Sequence, residues 1–386
     1  MPTTAFKNIL YRLALPFCAP SCGKNPINVL SGHDLQFRDS FVHLVHKHHV
    51  LGSATYLTSG NQSAMILTSS EDPCHKTFPD SFFRVASITK SATSSLVMHL
   101  SDLGILDIDM PLSDIFSADA EQKALSGITL RHLLSHTSGI IDPADLEQSV
   151  ENGIPFTDLL PAARCHAPGM EFHYSNLGFG LIGCVLEQLL QIPVSMVFSR
   201  YLFSPLEMNA TLEACSIPHG KIMPVTRVLP YRKGKDVIVT RLGSAALTHP
   251  DPLRHYGHTA GSMYIDILSL HKLFAMLASG DGSYLSPAAL SDMKAEHASY
   301  GRLSPTLSYG LGLLRINDPF ISDNTVYGHQ GFAYGCVDGA FWDDRTKNLL
   351  ITLNGGCSEA RNGRLGLANR DFLHWAFRKE LPSWSE

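Results

Sequence analysis

Apolar residues recur along this chain with two periods. Over residues 35–49 they fall on one side of a helical wheel and predict an amphipathic helix. Residues 52–58 and 64–68 are short β-rich runs separated by Ser59-Gly60-Asn61-Gln62, the pattern of a hairpin. From Ser87 the period returns to helical, with Leu96, Leu100 and Leu103 at i, i+4 and i+7, and Gly104 placed to end the helix. Residues 129–134 read as a short helix, and residues 177–190 as one that is apolar on most sides. Asp266 is positioned to cap a helix over 267–278. Residues 309–316, 326–327, 336–342 and 349–353 then read as strands, with a turn over 343–347 and a closing amphipathic helix over 365–377. Residues 214–254 show no period.

Strands therefore stand at both ends of the chain with helices between them. This pattern predicts an α/β (α+β) fold in which residues 1–104 and 255–386 build one sheet and residues 105–254 form a mostly helical insertion. The hairpins near the C-terminus favour an antiparallel sheet over a doubly wound parallel one. A ligand site is expected where the two parts meet.

Composition narrows the function classes. The chain has 386 residues, 44% hydrophobic and 17% charged, with a formal net charge of −5. That balance suits a large globular core and disfavours nucleic-acid binding, which needs clustered Lys and Arg. No apolar run approaches the roughly 18 residues of a membrane span. The apolar stretch 13–19 near the N-terminus is broken by Pro16 and is read as structural, with a cytoplasmic location expected. The eight cysteines are scattered, and are read as reduced core thiols, the Cys18-x3-Cys22 pair included. No Asp or Glu follows His43, His46, His48 and His49 at a ligand spacing, and they are read as a solvated helix face, so no metal and no cofactor is expected.

Three short motifs carry candidate chemistry. Ser87-Ile88-Thr89-Lys90 is a Ser-x-x-Lys. On a helix, residues three apart share a face, so Lys90 would sit one turn above Ser87. A hydroxyl is a weak nucleophile until a base removes its proton, and a lysine amine becomes that base once its pKa falls. Three other segments share the spacing: 21–24, 269–272 and 291–294. Ser87 alone follows a β-like run, Phe82-Phe83-Arg84-Val85-Ala86, and opens a long apolar helix. Tyr174-Ser175-Asn176 opens the helix over 177–190. A lysine ammonium beside Tyr174 would stabilise its phenolate for proton relay, and Asn176 could bond Lys90 or a substrate carbonyl. His329-Gln330-Gly331 precedes the strand at 336–342, and a glycine at a strand edge admits a substrate backbone. The N–H groups of Phe332 and Ser87 could then form an oxyanion hole.

In this order and with these long spacers, Ser87-x-x-Lys90, Tyr174-x-Asn176 and His329-x-Gly331 resemble the serine β-lactamase-like superfamily. The class C branch and its esterase, D-aminopeptidase and lovastatin-type acyltransferase relatives are the most similar. The phrases 83–90, 133–140 and 174–178 support the resemblance, which spans about residues 35–378. It implies an antiparallel sheet flanked by helices, a largely helical part, and a site between them. It also implies a covalent acyl-enzyme on Ser87, with Lys90 and Tyr174 sharing the base role. One position departs: many members carry Lys where His329 stands, and a histidine is largely neutral at pH 7. That favours hydrolysis of an ester or amide of a small molecule or short peptide over cell-wall or β-lactam chemistry. Acyl transfer to a small-molecule acceptor, or cyclisation and release in biosynthesis, uses the same residues. An inactive acyl-group binding module is the remaining reading. His136 is read as supporting a helix end, and His255, Tyr256 and His258 as rimming the cleft.

Overall fold

A computed structural model describes residues 9, 13–14, 28–29, 35–70, 73–229, 231–232 and 246–378. Cys18, Cys22 and the segment 21–24 lie outside these, as does most of the apolar stretch 13–19.

The core element is a nine-stranded antiparallel sheet. Its strands are β1 (Asn28–Val29), β2 (Ser53–Ser59), β3 (Gln62–Thr68), β4 (Ala298–Ser299), β5 (Leu307–Tyr309), β6 (Leu314–Ile316), β7 (Val326–Ala333), β8 (Cys336–Asp343) and β9 (Leu349–Asn354). The order across the sheet is β1-β3-β2-β9-β8-β7-β6-β5-β4. Pairing of β2 with β9 joins the N-terminal hairpin to the last long strand, so the sheet is assembled from both ends of the chain.

Side-chain alternation divides two cores between the faces of the sheet. Val337 and Phe341 of β8 pack with α1 (Leu35–Lys47), through Phe41, Leu44 and Val45, and with a C-terminal helix, Leu367–Phe377, through Phe372 and Trp375. Ala340 and Trp342, the intervening residues, pack instead with α2 (Thr89–Asp102), α3 (Asn176–Leu190) and α4 (Ile267–Ser279). Each helix starts or stops where the sequence changes chemistry. Asp266 accepts from Ser269 N (2.7 Å) at the start of α4. Thr129 caps the helix Leu130–Leu134, and Gly104 takes φ +69° beyond α2.

Several sequence expectations are corrected. The run 309–316 is two strands, because Gly312 at φ +68° reverses the chain between β5 and β6. His329-Gln330-Gly331 precedes the strand β8 as expected, but itself lies within β7, which runs well beyond the expected 326–327. The closing helix begins at Leu367, after a two-residue strand, Leu365–Gly366. His48 is not solvated: it is buried and bonds Asp371 at 2.8 Å, while His43 and His46 are exposed. Of the described cysteines, Cys184, Cys336 and Cys357 are buried, but Cys74, Cys165 and Cys215 are exposed. Within the stretch without a period, Arg227–Val228 pairs with Tyr231–Arg232. Among the described residues no single helix is long and apolar enough to cross a membrane.

Candidate active site

Ser87 sits in a 3-10 turn, Ala86–Ile88, which runs directly into α2. The preceding strand Phe83–Arg84 pairs with Tyr264–Ile265 and holds the turn in place. Ala86 adopts φ +45°, a left-handed conformation that is strained for a residue with a Cβ. Lys90, one helical turn on, is fully buried. Its Nζ lies 3.2 Å from Ser87 Oγ and donates to Asn176 Oδ1 (2.9 Å) and to the Ala260 carbonyl (2.7 Å). Burial lowers its pKa to about 7; Asp142 opposes this and Arg84 reinforces it.

Tyr174 brings its phenol to Ser87, with which it hydrogen-bonds, and its ring lies 4.9 Å from Lys90 Nζ. The expected stabilisation of a phenolate does not hold. Burial pushes the Tyr174 pKa up, and the hydrogen bond with Ser87 opposes this without reversing it. Tyr174 is therefore a protonated donor.

Asn176 is aimed by a residue that the sequence reading missed. Asp142 accepts from Ser175 Oγ (2.7 Å), Asn176 N (2.9 Å), Asn176 Nδ2 (3.0 Å) and Leu177 N (2.9 Å). A carboxylate at the N-terminus of α3 is favoured by the exposed amides there. Because Asn176 Nδ2 is spent on Asp142, its Oδ1 faces Lys90. His136 completes the support: its Nδ1 accepts from Ser175 N at 3.1 Å, as its reading at a helix end requires. Ala260, also missed, lies on a segment clamped between α2 and α3, where Thr93 Oγ1 donates to Thr259 O (2.7 Å) and Thr259 Oγ1 to Phe179 O (2.7 Å). A backbone carbonyl carries no signature in sequence. Asp142 had only the weak one of an acidic residue in a loop with no local helix to cap.

His329 is buried, and burial together with Lys90 lowers its pKa to about 3. Its Nδ1–H donates to the Gln330 carbonyl (2.8 Å), so Nε2 accepts from the Tyr309 hydroxyl (2.8 Å). Both nitrogens are occupied and neither carries charge, so this position supplies no cation.

β6 pairs with β7 only as far as Gly328, leaving the edge from His329 to Ala333 without a strand partner on that side. The two-residue loop Tyr334-Gly335 joins β7 to β8 with φ +55° and +119°. In such hairpins the flanking pair, Ala333–Cys336, is the hydrogen-bonded one. The Phe332–Val337 pair then is not, and the Phe332 N–H points out of the free edge. Gly331 brings this edge against the serine turn: a Cβ there would lie 2.3 Å from the Val85 carbonyl.

Ser87, Tyr174, Asn176, His329 and Phe332 all line one cavity of about 1000 Å³. Tyr256 and Gly257 also line it, whereas His255 is turned to Glu187 (2.8 Å) and His258 is buried. Ile141, Leu146, Val150, Phe172 and Tyr300 give the cavity an apolar wall. Lys272 and Lys294 of the other described Ser-x-x-Lys segments are not among its lining residues.

Comparisons with known proteins bear on the family and the fold. The chain is 25% identical over 333 residues to the esterase EstB of Burkholderia gladioli, covering 76% of this chain and 82% of that one. It is 29% identical over 182 residues to the D-alanyl-D-alanine-carboxypeptidase/endopeptidase AmpH of Escherichia coli, covering 44% of this chain and 47% of that protein, so the match takes in about half of AmpH. Among solved structures, EstCE1, a hydrolase with promiscuous acyltransferase activity, superposes with a TM-score of 0.68 at 20% identity over 88% of this chain and 97% of that one, which shows the fold. The Beta-lactamase family profile matches residues 37–353, and the chain belongs to that family.

Proposed function

We propose that the chain is a serine hydrolase that cleaves an ester or amide of a small molecule or short peptide through an acyl-enzyme on Ser87. One observation carries the reading: Lys90 is sealed from solvent with its Nζ on Ser87 Oγ and its pKa lowered to about 7. A neutral amine has two N–H bonds and one lone pair. The two N–H bonds are matched by Asn176 Oδ1 and the Ala260 carbonyl, which leaves the lone pair for the Ser87 hydroxyl.

The steps follow from this arrangement. Ser87 attacks the substrate carbonyl as its proton passes to Lys90. The developing oxyanion is held by the N–H groups of Ser87 and Phe332. Tyr174, protonated and bonded to Ser87, gives its proton to the leaving group and recovers one from the Lys90 ammonium. Water then adds to the acyl carbonyl, losing its proton along the same Tyr174–Lys90 route, and Ser87 leaves as Lys90 returns that proton to its Oγ. Asn176 and His329 act through position, the first by holding Lys90 and the second by shaping the cavity wall. This reading takes residues 1–104 and 255–386 as the unit bearing Ser87 and Lys90, and 105–254 as the unit bearing Tyr174.

Acyl transfer is the second reading, and the cavity of about 1000 Å³ favours keeping it, because an acceptor fits beside a small acyl group. A fluorophosphonate probe tests the shared step. It is expected to add mass to the Ser87 peptide in the wild type and not in Ser87→Ala. Labelling that persists in that variant overturns the assignment. Turnover of short acyl esters and D-amino-acid amides, with and without added alcohols or amines, separates hydrolysis from transfer.

A further inference from the structure

The loop that leads into Tyr174 carries a second constellation, His166-x4-Glu171-x-His173, that the proposed chemistry does not use. His166 Nδ1 lies 3.5 Å and His173 Nε2 3.1 Å from the same carboxylate oxygen, Glu171 Oε2, and the three ligand atoms fall within 4.8 Å of one another. The two imidazoles stack at 4.2 Å between centroids and 18° between planes, so one ring has only to turn out of the stack for both nitrogens to meet a single ion.

The backbone holds this arrangement in place. Cys165 N and His166 N both donate to the Gly139 carbonyl (3.0 and 3.3 Å), and Gly169 N donates to Thr137 O (2.7 Å). His173 N donates to His136 O (2.8 Å). A Cβ on Gly139 would lie 2.1 Å from the His166 carbonyl, so the two segments are in direct contact. Both histidines are thus pinned to one segment, 136–139. All three side chains remain accessible to an ion from solution.

We propose that His166, Glu171 and His173 form a binding site for a borderline divalent cation such as Zn²⁺ at the mouth of the cavity. Two imidazole nitrogens and one carboxylate oxygen suit Zn²⁺, Ni²⁺ or Cu²⁺ and leave positions open for water. Binding uses the lone pairs of His166 Nδ1 and His173 Nε2, and a proton on either atom moves to the other ring nitrogen or to solvent. Acid competes for the same nitrogens, so affinity falls with pH. Glu171 and His173 line the cavity that holds Ser87, and His173 directly precedes Tyr174. An ion there narrows the entrance and adds positive charge beside the phenol, so on the reading of Ser87 given above it inhibits.

Calorimetric titration of the full chain with Zn²⁺ tests the site without reference to turnover. One ion per chain is expected in the wild type. His166→Ala and His173→Ala should each weaken binding at least about tenfold, and Glu171→Gln should weaken it less, with thermal unfolding unchanged in all three. His43→Ala/His46→Ala serves as a control, since those exposed histidines share a helix face. Unchanged affinity in His166→Ala and His173→Ala, or binding lost only in that control, overturns the proposal. Absence of binding in the wild type overturns it equally. Zn²⁺ is then expected to slow ester turnover in the wild type and not in His166→Ala. Equal inhibition of both removes the link to the cavity. Since binding is read by heat, an inactive enzyme would count against the serine chemistry and not against this site.

Discussion

Two Ser-x-x-Lys segments of this chain place their lysines alike and prepare them differently. Lys90 Nζ and Lys294 Nζ each stand 4.9 Å from the centroid of a tyrosine ring, Tyr174 and Tyr327 respectively. Both lie three residues after a serine in helical structure, in the second case within Pro287–Lys294. Lys294, however, is partly exposed and forms an ion pair with Asp344. Ser291 is exposed as well. Lys90 is fully buried and bonds to a serine hydroxyl and two neutral oxygens. An opposite charge favours the ammonium, whereas burial beside neutral acceptors favours the amine. Spacing makes the pair, and the exclusion of water, with the nearest carboxylate Asp142 held off behind Asn176, makes a base.

Substitutions can break this contrast. The largest effect is expected for Ser87→Ala, which should lower kcat/KM by a factor on the order of 10⁴ or more, while Ser291→Ala leaves esterase assays unchanged. Lys90→Ala should cost about 10³–10⁴ in the same measurement, and Lys294→Ala nothing. Tyr174→Phe is expected to lower kcat by about 10²–10³ with the fold retained by circular dichroism; near-normal rates would remove the phenol from proton transfer.

The pH profile sharpens the contrast further. Activity needs the neutral amine, so kcat/KM should rise with pH through an apparent pKa of about 7. Asn176→Asp sets a carboxylate beside Nζ, as Lys294 already has, and should move that limb to higher pH by about one unit. Asp142→Asn removes a charge that raises the Lys90 pKa and should move the limb the other way, by less. The smallest effect is on stability: Lys294→Ala should change unfolding free energy by about 1 kcal/mol or less, as for other partly exposed ion pairs.

Much of this was legible in the chain. The helical period at Leu96 and Leu100, the apolar helix ending at Leu190 and the strand alternation around Trp342 each reflect burial on one face, and burial leaves a periodic trace. Two of the motifs found the serine, its amine and the phenol, because each stands where a helix begins. What escaped has no local trace. Asp142 acts on a helix more than thirty positions away, Ala260 contributes only a carbonyl, and the Tyr174 pKa depends on how much protein covers the ring. The strand 326–333 reads in the sequence only as 326–327, and the glycine at Gly331 answers to close packing against Val85, which leaves no periodic trace.

The contact between Gly331 and the Val85 carbonyl turns a missing methyl group into a dimension. How near the free margin of the sheet approaches the nucleophile is governed there by bulk and not by polarity. A larger residue would act as a shim, prying the two apart and widening the slot between the Phe332 and Ser87 amides. Tolerance for branched acyl chains and tight grip on a planar one are therefore opposed at a single position, with no change to any group that moves a proton.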